Sequence, residues 1–188
     1  MSMEYYDPEL ILETEHLLLR ALRRDDASAI YHAINHDREV LKYYVAPYIE
    51  DEKDASVEGT VRYAETAGVY IFAIVLKETG EVIGMINQCN KMNPYFRNVE
   101  VGYAIARKYW NRGYCTEALV AMIDLLLSRG VHKVFCQHVL ENEASEKVMI
   151  KAGMKKEGLR RDELYYRDRY WDVNCYYVLN DRENGNEV

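Results

Sequence analysis

The sequence predicts an α/β (α+β) domain of seven strands and several helices. Three observations predict it. Across 98–105, Val99, Val101, Tyr103 and Ile105 alternate with Glu100, Gly102 and Ala104, the period of a strand. Past a tight turn, Ala118, Leu119, Met122, Leu125 and Leu126 recur at helical spacing until Ser128, Arg129 and Gly130 close the helix. Upstream, residues 69–76 and 82–89 are apolar runs flanking Lys77-Glu78-Thr79-Gly80-Glu81, a short polar link of the kind that joins a hairpin.

The remaining elements follow in chain order. Residues 1–12 read as an arm, and His16 to Leu22 as the first strand. Asp25 or Asp26 caps a helix through Ala29, Ile30 and Ala33, a second short helix covers 38–43, and Pro47 ends it. Glu50, Asp51, Glu52 and Asp54 precede a helix over 55–67, where negative charge suits the N-terminal end of the dipole, and Gly68 stops it. A loop at 90–97 leads into the strand at 98–105. Beyond the central helix come a strand at 133–139, a helix at 142–152 bounded by Gly153, and strands at 154–166 and 170–179 around Arg167-Asp168-Arg169. One domain over 13–180, with arms at 1–12 and 181–188, accounts for a chain without an internal repeat or a low-complexity linker.

Composition narrows the function. A formal net charge of -7 and a pI near 5.3 argue against a sequence-independent nucleic-acid binder and favour cationic partners such as amines. No apolar run approaches the length of a membrane span, and the acidic N-terminal segment is unlike a signal peptide, so the expected location is the cytoplasm. Cys89, Cys115, Cys136 and Cys175 are far apart and have no nearby His pair, the pattern of free thiols and not of a metal site. The 17 tyrosines suit strand and core positions with polar tips, or a phenol-lined pocket for a cationic amine. A homodimer stays open.

The tight turn carries the chemistry. Trp110-Asn111-Arg112-Gly113-Tyr114-Cys115-Thr116 opens the central helix, whose first-turn amides lack intrahelical partners and sit at the positive end of the dipole. Gly113 lets a ligand approach the backbone, and a phosphate is the natural guest, with Arg107 and Arg112 as candidate side-chain partners. Neither GxxxxGK[ST] nor GxGxxG is present, which argues against a nucleotide-binding P-loop or a Rossmann site. Cys115 is either a small residue tolerated beside a phosphate or a thiol whose pKa the helix terminus lowers.

This stretch resembles the pyrophosphate loop of the GNAT superfamily of acetyl-CoA-dependent N-acetyltransferases, with Trp110 where Arg or Gln is usual and Cys115 where Gly or Ala is usual. Its wording, together with Thr14-Glu15-His16-Leu17-Leu18-Leu19-Arg20 and the block Asn142-Glu143-Ala144-Ser145 through Lys151-Ala152-Gly153-Met154, resembles the RimJ/RimL branch, which acetylates protein N-terminal amines. The resemblance implies the GNAT fold, a mixed and mostly antiparallel seven-stranded sheet with helices on both faces, in which the strands at 98–105 and 133–139 run parallel and splay apart around the pantetheine arm. It implies acetyl-CoA as cofactor and a primary amine as acceptor, a peptide N-terminus or a small molecule. Cofactor contacts then fall on Val101, Gly102, Tyr103, Arg107, Asn111, Arg112, Gly113, Tyr114, Cys115, Thr116, Asn142 and Ser145, and no metal is called for. Asn142 also reads as a helix cap.

Acetyl transfer by direct attack needs a neutral amine, a polarised carbonyl and a stabilised leaving thiolate. Glu100, an acid in the middle of the central strand, is the candidate base, set against a structural carboxylate; His138 is the alternative. The tyrosine acid that many relatives carry on the last helix is replaced by Met149, and the resemblance assigns the place near the sulfur to Ser145. Trp110, Cys115 and Met149 also keep open a non-catalytic acyl-CoA-binding module with the same fold.

Overall fold

The computed structural model describes residues 6–180. Eight strands form one sheet in the order β1-β2-β3-β4-β5-β6-β8-β7: β1 (Ile11–Glu13), β2 (Leu17–Ala21), β3 (Ile71–Leu76), β4 (Val82–Gln88), β5 (Asn98–Ile105), β6 (Lys133–Val139), β7 (Lys155–Tyr166) and β8 (Arg169–Leu179). Every neighbouring pair is antiparallel except β5 with β6. The helices are α1 (Ala27–Ile30, continued as a π-turn over Tyr31–Asn35), α2 (Glu58–Ala67), α3 (Tyr114–Ser128) and α4 (Glu143–Lys151).

The sheet thus has one strand more than the seven expected. The extra strand, β1, begins inside the segment read as an arm, and three residues are too few for an alternation to show. It forms because Ile11, Leu12 and Glu13 pair with Arg20, Leu19 and Leu18, and Lys77 Nζ donates to Glu13 at 2.7 Å. Two expected helices are also shorter. Residues 38–43 supply only the 3-10 turn Val40–Lys42, and the acidic run makes its own 3-10 turn, Glu52–Asp54, in which Asp51 accepts from Lys53 N. That turn takes up the capping group, so α2 starts only at Glu58, whose amide donates to Ser56 Oγ.

Each face of the sheet has its own core, because strand residues alternate between faces. Leu17, Leu19, Phe72, Ile74, Val99 and Val101 pack with Leu119, Met122, Leu126 and Met149 under α3 and α4. On the other side, Ile71, Ala73, Val75 and Ala104 meet Ile30, Ile34, Leu41 and Val61 from α1, the following turn and α2. The start of α1 is tied to β2 by a buried fork in which Arg20 donates from Nη1 and Nη2 to Asp26, both at 2.7 Å, while Arg23 N donates to the same carboxylate. Among the described residues no helix is long and apolar enough to cross a membrane.

Gly84 shows how tightly the centre is built. A Cβ there would lie 2.2 Å from the Ala104 carbonyl oxygen and 2.8 Å from Ile105 Cα, so only glycine lets β4 and β5 approach at this point.

Candidate active site

The parallel pair β5–β6 holds together for only three positions, Asn98 to Lys133, Val99 to Val134 and Glu100 to Phe135. Beyond them β5 stays paired with β4 as far as Ile105, and β6 stays paired with β8 as far as Val139, so the two strands part. Backbone direction shows what lines the gap. Glu100 N and O bond toward β4, to Asn90 Oδ1 at 2.7 Å and from Cys89 N at 2.8 Å. Alternation then turns the backbone polar groups of Val101, Tyr103 and Ile105 toward the β6 side, those beyond the Val101 amide into the splay, while those of Gly102 face β4. The Glu100–Phe135 pair uses the Val101 amide, since Glu100 itself bonds toward β4. Of the three strand residues expected at the cofactor, Tyr103 therefore leaves its amide in the gap, Val101 leaves its carbonyl there, and Gly102 faces β4. The Ile105 carbonyl is taken by the Trp110 indole, whose Nε1 donates to it at 2.9 Å.

The α3 N-terminus closes the C-terminal end of β5. Asn111 (φ 60°) and Gly113 (φ 87°) both adopt the left-handed conformation, and Gly113, the N-cap, puts no side chain over the helix end. Among the described residues no side chain caps α3, so the first-turn amides of Tyr114, Cys115 and Thr116 point outward at the positive end of a 15-residue helix. Arg112 is exposed beside them, its guanidinium 5.7 Å from the centre of the Tyr109 ring. Arg107 is committed elsewhere: its Nε lies 3.1 Å from Asp37 Oδ2. It lines an open polar depression of about 420 Å³ with His32, His36, Asp37, Arg38 and Glu39, which includes none of the splay residues. Cys115 departs from a lowered-pKa thiol, because burial against the α3 core outweighs the dipole and pushes it up to about 12.

α4 begins at the other lip. Asn142 is its N-cap, the side-chain oxygen accepting from Ser145 N at 3.2 Å. The Ser145 hydroxyl lies 2.9 Å from the Tyr103 hydroxyl, which also reaches the Ser145 carbonyl oxygen at 3.2 Å, a bridge from β5 to α4 across the splay. Burial holds the Tyr103 phenol well above its ordinary pKa. His138 is buried on this same α4 side. Its Nδ1 is 2.9 Å from the Val139 carbonyl oxygen and its Nε2 is 3.9 Å from Glu146, with its pKa lowered by burial. That position is behind α4, on the sheet face opposite to Glu100.

Glu100 shares its face with Gly102 and Ala104, toward α1 and α2. A Cβ on Gly102 would meet Cys89 Sγ at 3.2 Å and Asn87 Oδ1 at 3.5 Å, so glycine keeps this wall low beside Glu100. The carboxylate of Glu100 is half-buried and makes no ion pair within 4 Å among the described residues. Its pKa is raised, mainly by burial, against the opposing pull of Arg160. Arg160 is itself paired with Glu163 at 3.0 Å.

An arch covers this face. The Tyr166 hydroxyl donates to the Tyr44 and Ala46 carbonyls, both at 3.5 Å, and Arg167 Nη2 donates to the Leu41 carbonyl at 3.1 Å, docking the β7–β8 hairpin tip on the segment after α1. Tyr43 stands edge-on to Trp171, and the Tyr44 hydroxyl reaches Asn87 Oδ1 at 3.4 Å. The tyrosine clusters that the sequence shows at 43–44 and 165–177 fall on this arch.

A splay between parallel strands, flanked by two helix N-termini and with a carboxylate on the opposite face, is an arrangement that can receive an anionic cofactor. The chain belongs to the GNAT acetyltransferase family: the model of the acetyltransferase (GNAT) domain matches residues 16–155. It is similar to the uncharacterized N-acetyltransferase YoaA of Bacillus subtilis, 31% identical over 177 residues that cover 92% of this chain and 98% of that one. The ribosomal protein uS5-alanine N-acetyltransferase of Escherichia coli is 24% identical over 177 residues, 88% of each chain. Among solved structures, the ribosomal L7/L12 α-N-protein acetyltransferase RimL in complex with coenzyme A superimposes with a TM-score of 0.80 at 20% identity, covering 92% of this chain and 99% of that one. The protein is an N-acetyltransferase.

Proposed function

We propose that the protein transfers the acetyl group of acetyl-CoA directly to a primary α-amine at the N-terminus of a protein or peptide. The observation that carries this reading is the parting of β5 and β6 after Glu100, with amide donors on one side and the carboxylate on the other. In this reading the amides of Tyr114, Cys115 and Thr116, with Asn111, Arg112 and Gly113, hold the pyrophosphate. The backbones of Val101 and Tyr103, together with Asn142, hold the pantetheine arm and the thioester carbonyl. Arg107 joins the phosphates only by leaving Asp37. Acetyl-CoA brings the activated thioester, and the rest of the chemistry belongs to the chain.

Glu100 takes the proton of the attacking amine, and its burial raises its basicity toward working pH. Ser145 gives a hydrogen bond to the departing sulfur. The choice of an α-amine follows from proton energetics. An α-amine has a reference pKa near 8 and a lysine near 10.4, so neutralising the lysine at pH 7 costs about 3 kcal/mol more. A single half-buried carboxylate suits the easier task, and relatives that act on ribosomal proteins support the same class of acceptor.

The test is release of CoA thiol from acetyl-CoA in the presence of peptides with free N-terminal Ala or Ser, polyamines, amino acids and aminoglycosides. Turnover on the peptides, with the acetyl group on the α-nitrogen, is expected. Turnover confined to another acceptor class overturns the acceptor assignment. CoA binding without turnover on any amine favours the non-catalytic acyl-CoA-binding module.

A further inference from the structure

When the amine displaces CoA, the C–S bond breaks and its electron pair stays on sulfur, which needs a hydrogen-bond donor at that moment. On α4, the core-facing residue one turn beyond Ser145 is Met149, 1% exposed, with no proton to give. A phenol reaches this place from the sheet instead. Tyr103 leaves β5 beyond the last β5–β6 pair, and its hydroxyl lies 2.9 Å from Ser145 Oγ and 3.2 Å from the Ser145 carbonyl oxygen.

We propose that Tyr103 is the positioning residue that frees the Ser145 hydroxyl proton for the leaving sulfur, the two hydroxyls acting as a switch. The inference rests on the proposed place of the thioester in the splay. The phenol has one proton and two acceptors within reach. Given to the Ser145 carbonyl, it lets the Ser145 proton point back at the phenolic oxygen. Given to Ser145 Oγ, it releases the Ser145 proton for a third acceptor.

The exchange is easy because helix geometry already assigns the Ser145 carbonyl the amide of Met149, so losing the phenol does not orphan it. Charge building on the sulfur draws the Ser145 proton outward, and Tyr103 turns its own proton to Oγ in compensation. No tyrosine O–H bond breaks. Burial makes a phenolate costly here, so the pair stabilises the thiolate by hydrogen bonding and does not protonate it. The balance is one N–C bond formed, one C–S bond broken, one proton from nitrogen to Glu100 and one proton from solvent to sulfur.

The experiment is a double-mutant cycle with Tyr103→Phe and Ser145→Ala, assayed with acetyl-CoA and an Ala-initiated peptide. Phe keeps the ring and its packing while removing the hydroxyl. Losing a donor aimed at developing charge costs about 100-fold in kcat, and losing only its orienting partner costs about 10-fold. Expected, therefore, are kcat losses of that order for S145A and Y103F, an unchanged KM for acetyl-CoA, and a double variant no slower than S145A alone, because Tyr103 acts through Ser145. A Y103F enzyme with full kcat, or losses that multiply in the double variant, overturns the switch while leaving the proposed function standing. Full kcat in S145A removes Ser145 from that function, and the switch with it. A raised KM with lowered melting temperature in Y103F, at unchanged kcat, identifies the bridge as structural and overturns the inference.

Discussion

Replacing Glu100 with Gln separates a catalytic base from a structural carboxylate, because the two roles predict opposite changes in stability. Glu100 is half-buried, has no ion pair among the described residues, and has its pKa raised mainly by burial. The folded state therefore binds the carboxyl proton more tightly than the unfolded chain does. Stability from this group is complete below the unfolded value, near 4.3, and is lost as pH rises through the folded value. At pH 7 the ionised side chain costs folding free energy, and E100Q removes that cost. The variant should melt higher than the parent at pH 7, with the difference vanishing below pH 4.

Activity should move the other way. Loss of a general base costs about 100-fold or more at pH 7. At that pH roughly one α-amine in ten is neutral, and at pH 9 roughly nine in ten are, so alkali should restore about nine-fold of the deficit. Thermal melts across pH 3 to 8, with initial rates of thiol release across pH 6 to 9, read both effects, the second range spanning the titration of an α-amine. A variant that melts lower at pH 7, or whose deficit is the same at every pH, refutes the reasoning: Glu100 would then be holding the fold and not the proton.

Gly84→Ala places a methyl against backbone that cannot yield like a side chain, so it should destabilise the protein by about 3 kcal/mol or prevent folding, read by chemical denaturation; a loss under 1 kcal/mol contradicts the packing described for β4 and β5. With its thiol pushed up to about 12, Cys115 should react with iodoacetamide at pH 8 more than about 100-fold slower in the folded protein than in the denatured chain. Rates are followed by peptide mass spectrometry; equal rates would contradict the raised pKa, and a faster folded rate would restore the lowered-pKa thiol.

Local patterns in the chain held the elements, and pairings between distant residues held the site. The alternation at 98–105 and the run at 133–139 read directly as β5 and β6, and Asn142 read directly as a cap that the structure shows bonding Ser145 N. Where β5 and β6 part is a matter of register between strands about 35 residues apart, and nothing in either strand marks Glu100 and Phe135 as the last pair. Trp110 looked like a departure from a familiar loop. Its indole satisfies the Ile105 carbonyl that the splay strips of a strand partner, a role that appears only once that carbonyl is seen to face the gap. Arg107 was read by its nearness to the loop, yet Asp37, seventy residues earlier, holds it. Cys115 shows the same limit, since position at a helix terminus is visible in sequence and burial is not.

The central claim is that acetyl-CoA lies in the splay with its phosphates on the α3 amides. Amide hydrogen exchange with and without CoA measures this most directly. Slowed exchange in the segments carrying Val101 and Tyr103, Tyr114 to Thr116, and Ser145 is the predicted result. Protection confined to the depression around His32, Asp37 and Arg107, with the α3 N-terminus unaffected, would contradict it.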